Sequence, residues 1–108
     1  MINLPKPIAT YVEANARLDA QGMLKAFAPD AVMHDEGRAH SGHTEILALI
    51  QKNVIALQAI FTPDTQREED GYVIVEGPTT GNFRGSPLRF TFRFTLENDL
   101  ITVLEVTL

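Results

Sequence analysis

No cysteine occurs among the 108 residues, so the chain has no disulfide, no thiolate nucleophile and no thiolate metal site. It has no run of 18 apolar residues, and its opening MINLPKP lacks the apolar stretch of a secretory leader. Basic residues are scarce, 9 Lys and Arg against 14 Asp and Glu, for a formal net charge of −5. No basic run is interleaved with aromatics. Charge therefore argues against nucleic acid or an anionic membrane as partner. There is no phosphate-cradling or dinucleotide glycine loop, and no G-x-S-x-G frame surrounds Ser41 or Ser86. The expectation is a cytoplasmic protein that uses no cofactor.

What is present is one domain, residues 1–108, without repeat or linker. Pro5 and Pro7 suit the first turn of a helix, and Ile8, Tyr11, Val12 and Leu18 form its apolar stripe. Asn15 lies in that stripe. It either faces a polar spot in a pocket or bonds a neighbouring loop carbonyl. Asp19 is a good N-cap for a second helix over residues 20–26. Pro29-Asp30 predicts a turn, after which Ala31-Val32-Met33 runs extended into His34-Asp35-Glu36. Residues 37–42 read as a loop. A long third helix follows from His43 or Thr44, with apolar positions through Ile60 and with Asn53 again in the stripe; Pro63 stops it.

The remainder reads as antiparallel sheet. Thr65 to Glu69 is an exposed strand, Asp70-Gly71 a hairpin turn and Tyr72 to Val75 a strong strand, which Gly77-Pro78 interrupts as a bulge or bend. Leu88 to Leu96 alternates, with Phe90, Phe92 and Phe94 on the face turned to the helices and Arg89 and Arg93 on the other. That second face is solvated, a subunit interface, or a grip for an anion. Three helices and an early strand followed by a meander make an α+β plan.

His34, Asp35, His40 and His43 do not make a zinc site: His40 and His43 straddle Ser41-Gly42, and no H-x-x-x-H pair exists. General acid–base work by an aspartate in an apolar pocket remains. Successive strand residues point to opposite faces. If Met33 faces the core, Asp35 does too and His34 turns away; if the extended run stops at Met33, either could point inward.

The segments ATYVEAN, LDAQGMLKAFAPDAVMHDEG, SGHTEILALI, GNFRGSP and FRFTLENDLI resemble the nuclear transport factor 2-like superfamily, in particular its SnoaL-like and ketosteroid-isomerase-like members. The resemblance implies a cone of three N-terminal helices on a strongly curved, mostly antiparallel sheet (the cystatin-like plan). It also implies a mostly apolar cavity and a homodimer formed through the outer sheet face. By the same resemblance Asp35 is a catalytic base and Tyr11 the oxyanion donor, acting on a small apolar carbonyl compound as an isomerase or cyclase. Asn15, His34, His40, Phe27, Phe90, Phe92 and Phe94 become substrate-binding candidates. The chain departs from the isomerases in three places. Phe92 stands where they have a protonated acid, Phe27 where they have a supporting tyrosine, and Glu36 where a proline follows the base. A non-catalytic binding or interaction module of the same fold is the alternative.

Overall fold

In the computed structural model, which describes residues 2–108, Pro5 and Pro7 flank the first residue of helix α1 (Lys6–Ala16). The α1 stripe buries Ile8, Tyr11, Ala14 and Asn15, while Leu18 lies past the helix end at φ 53°. Helix α2 (Ala20–Leu24) starts on Asp19, whose carboxylate accepts from the Gly22 amide at 3.0 Å. It ends two residues short of the expected span: the Ala26 amide donates to the Met23 carbonyl at 3.1 Å in a tighter closing turn, and strand β1 (Phe27–Asp35) follows. Pro29 and Asp30 do not turn the chain ahead of the strand. They occupy a register irregularity within it, between Phe27 and Val32.

Residues 38–41, expected to be loop, form strand β2 (Arg38–Ser41). Glu36 and Gly37 take φ of 52° and 76°, the two-residue turn that folds an antiparallel partner straight back. Four mostly exposed residues carry too little alternation to reveal such a strand. Helix α3 (Gly42–Ile50) runs on into a π-helical turn, Gln51–Ile55. The apolar stripe that predicted helix as far as Ile60 misleads at its end. Gln58 takes φ 50°, and Ile60–Phe61 is strand β3.

Strands β4 (Thr65–Glu69), β5 (Tyr72–Thr80), β6 (Leu88–Glu97) and β7 (Leu100–Thr107) complete a seven-stranded sheet of order β2-β1-β7-β6-β5-β3, with β4 also on β5. Every pairing is antiparallel except β1 with β7. The result is the expected α+β plan, helices on a curled half-barrel sheet. Asp70-Gly71 and Asn98-Asp99 both take left-handed φ in tight hairpin turns. Gly77-Pro78 does not interrupt β5, which keeps constant register with β6. The irregularity lies on the other edge. Thr62 donates to the Pro78 carbonyl at 2.9 Å, and a Cβ on Gly77 would strike the Thr62 carbonyl and stand 2.7 Å from Pro63 Cα. No helix among the described residues is long and apolar enough to cross a membrane.

The core lies between the concave sheet face and the helices. Phe94, Leu104 and Ile101 from the sheet meet Ile8, Met23, Ile46 and Ile50, all fully buried. On the outer face Arg89 makes a two-pronged pair with Asp64, at 2.9 and 2.7 Å. Arg93 reaches Glu105 at 3.3 Å and lies 5.2 Å from the Tyr72 ring centroid. Both guanidiniums are thus engaged within the chain, which counts against the anion grip.

Asn15 answers its question locally. Its amide donates to the Ala59 carbonyl at 2.9 Å, and its oxygen accepts from the Phe61 amide at 2.8 Å. It ties α1 to β3. Replacing Asn15 by Ala should cost about 2–4 kcal/mol, since two buried backbone groups lose their partner. Gly77→Ala should cost about 1–3 kcal/mol through overpacking. Denaturant midpoints at constant slope check both.

Candidate functional site

The inward alternation of β1 continues from Met33, which is buried, to Asp35, which is half-buried. Both border a cavity of about 620 Å³. Its walls take Tyr11 from α1, Asp35 from β1, Asn53 from the π-helical turn, Phe90 and Phe92 from β6, and Thr79 from β5. The mouth carries exposed Glu36 and Arg84. Most of the remaining lining is aliphatic or aromatic, as expected of a site for a small apolar molecule.

Tyr11 is 2% exposed. Its ring is held edge-on by Phe27, Phe92 and Phe94, with centroids 5.9, 6.1 and 6.3 Å away. Phe92 is braced in turn by Phe61, stacked at 4.0 Å with the planes 4° apart. Burial pushes the Tyr11 phenol well above the usual range, and the negative charge of Asp35 pushes it further. Both effects disfavour phenolate in a poorly hydrated place. Tyr11 is therefore held as a neutral O–H donor within the electrostatic reach of Asp35.

Asp35 is held from the opposite side. Asn53 donates from Nδ2 to Asp35 Oδ2 at 3.3 Å. Asn53 lies within the π-helical turn and faces the cavity. Sequence reasoning noted Asn53 in an apolar stripe without placing it in the site. Thr79 was missed as well. Its signal is inward phase, two residues on from Gly77 and four from Val75 along β5.

Five expected substrate contacts lie outside the cavity lining. Asn15 is committed to Ala59 and Phe61. His34 is one residue out of phase with Asp35 and points to the opposite face. His40 pairs with Met33 on β2, at the sheet edge and away from the cavity walls. Phe27 and Phe94 are fully buried and pack against Tyr11, one layer behind the cavity. Phe90 and Phe92 do line it. His43 donates from Nε2 to the Phe27 carbonyl at 3.0 Å, and among the described residues no three His, Asp or Glu side chains are grouped to hold a metal ion. What the interior of the cavity offers chemically is the Asp35 carboxylate, the neutral Tyr11 phenol, the Asn53 amide and the Thr79 hydroxyl in largely apolar surroundings, with Glu36 and Arg84 at the mouth. Such a set can accept a proton at one point and hydrogen-bond a developing oxyanion at another.

A family model described as SnoaL-like domain matches residues 8–104. The chain is similar to a Sinorhizobium meliloti protein described as a candidate polyketide cyclase, 31% identical, with TM-score 0.89 and 96% and 95% of the two chains covered. It is also similar to an NTF2-like protein of unknown function from Burkholderia pseudomallei, 27% identical, with TM-score 0.78 and coverage of 99% and 91%. A Catenulispora acidiphila protein with a ketosteroid isomerase-like fold, in complex with trimethylamine, shares that fold at 16% identity, TM-score 0.82 and coverage of 98% and 87%. No curated protein matches. The match over residues 8–104 and the shared cone-like architecture agree: the chain belongs to the SnoaL-like domain family of the nuclear transport factor 2-like superfamily.

Proposed function

We propose that this chain catalyses proton transfer next to a carbonyl of a small, largely apolar compound. Tyr11 hydrogen-bonds the carbonyl oxygen. The Asp35 carboxylate takes a proton from the adjacent carbon, and the C–H electron pair moves into an enolate whose oxygen Tyr11 stabilises. The Asp35 carboxylic acid then returns the proton to another carbon, which completes an isomerisation; in a cyclase the enolate carbon instead attacks a second carbonyl, and Asp35 returns the proton to the alkoxide oxygen formed there. Asn53, holding Oδ2, leaves the other carboxylate oxygen for the substrate.

The observation that carries this reading is that Tyr11 and Asp35 border one apolar cavity, close enough for the charge of Asp35 to bear on the phenol. The similarity to a candidate polyketide cyclase supports the same class of chemistry. With Phe92 in place of a second acid donor, stabilisation of the enolate is lower by about 2.7–4 kcal/mol than with two donors. That favours substrates whose C–H is already acidic, flanked by two carbonyls, over simple ketones. In the same reading the chain pairs as a homodimer through the outer sheet face around Tyr72, Arg93 and Glu105; a monomer in sedimentation equilibrium would remove that part.

Incubation with a β,γ-unsaturated ketone, followed by enone absorbance, tests the catalysis. Asp35→Asn should lower the rate by roughly 10²–10⁴ and Tyr11→Phe by roughly 10²–10³, with both variants folded. Equal rates in wild type and Asp35→Asn would leave only a binding module. Alkaline titration gives a second check. The folded-state pKa of Tyr11 is raised above the unfolded value near 10.0. Its contribution to stability is therefore full below that pH and is lost as pH rises above it. Wild type and Tyr11→Phe should develop the same phenolate absorbance until alkaline unfolding begins. An earlier extra tyrosine in wild type would show that Tyr11 is not held neutral.

A further inference from the structure

We propose that Thr79 is a second polar anchor of the cavity, and that the ligand is a neutral, unsaturated compound with oxygen functions at both ends of a flat apolar body. The starting point is a hydroxyl without a partner. Thr79 is 7% exposed, and its Oγ1 is the one buried side-chain polar atom among the described residues that makes no hydrogen bond. Val73, Val75 and Gly77 precede it on the inward face of β5, and Phe61 and Leu88 stand opposite it on the flanking strands. Valine has the same shape and would leave no hydroxyl stripped of water. Thr79 borders the cavity, so the missing partner can come from a molecule bound there.

The spacing of the two anchors bounds that molecule. Asp35, Val106, Phe92 and Val75 lie on one rung across β1, β7, β6 and β5. Thr79 is four residues beyond Val75, about 13 Å of strand, on the far wall of the curled sheet from Asp35. A ligand that reaches both anchors needs a body of about two or three fused rings, which suits a cavity of about 620 Å³. Phe92, backed by the parallel ring of Phe61, is a fixed aromatic wall for such a body. The charges argue for neutrality. Glu36 and Arg84 at the mouth oppose one another, and the single charged side chain further in, Asp35, repels an anion.

The proposal rests on Tyr11 and Asp35 receiving a carbonyl, and a binding experiment lets it fail separately from catalysis. The probes are 1-tetralone, with one oxygen, and 6-hydroxy-1-tetralone, with a second at the far end of the same bicycle. Calorimetric titration of wild type should show at least about a fivefold preference for the hydroxylated probe. Thr79→Val should abolish that preference and leave 1-tetralone affinity unchanged, whereas Thr79→Ser should retain it. Thr79→Val should also raise the melting temperature of the ligand-free protein, because an unpartnered buried hydroxyl has been removed. A preference that survives Thr79→Val, a lowered melting temperature, or no binding of either probe overturns the proposal. Equal turnover in wild type and Asp35→Asn would sink the catalytic reading alone and leave the binding contrast intact.

Discussion

The parallel pairing of β1 with β7 sets the phase of the first strand, and phase decides which of two adjacent ionisable side chains enters the cavity. Met33 pairs with Leu104 and Asp35 with Val106. Leu104 is fully buried, so Met33 and Asp35 share the inner face and His34 is turned away. A slip of one residue would reverse all of this, moving an imidazole inward and a carboxylate out. The register irregularity between Phe27 and Val32 is what brings the second half of the strand into that phase. The site therefore depends on a local break in the regularity of the strand that carries it.

The interior electrostatics follow from that placement. A carboxylate at the end of a strand, half-buried beside an apolar hollow, keeps one hydrogen bond from Asn53. Its charge and the lack of water act together on the Tyr11 phenol, and both hold the proton on. Three phenylalanine edges fix the phenol ring, and a stacked Phe61 fixes one of those. The aromatic layer behind the cavity thus serves position, and Phe27 and Phe94 belong to it rather than to the cavity lining. Packing at native density leaves such rings little freedom to reorient.

Two asparagines in apolar helical stripes meet different fates. Asn15 faces Ala59 and the short strand β3, where two backbone groups need partners, and it becomes a structural tie. Asn53, within the π-helical turn, donates to Asp35 and belongs to the candidate site. A polar residue on a buried stripe signals that something polar lies opposite. Whether that is backbone or ligand space depends on what the rest of the chain brings there.

Much of the fold is legible in the chain itself. Prolines at the first turn, an aspartate cap at Asp19, the Asp70-Gly71 turn and the alternation of Phe90, Phe92 and Phe94 each act within a few residues, so sequence alone determined three helices, the main strands and the α+β class. Resemblance to a family then singled out Tyr11 and Asp35. Tertiary structure alone decided that these two border one cavity, that Arg38–Ser41 and Ile60–Phe61 are strands, that β5 runs unbroken through Pro78 and that Thr79 is left without a partner. Each of those outcomes depends on which distant strand supplies the neighbour and in which register. That is a property of long-range pairing and close packing, and no short window of residues contains it.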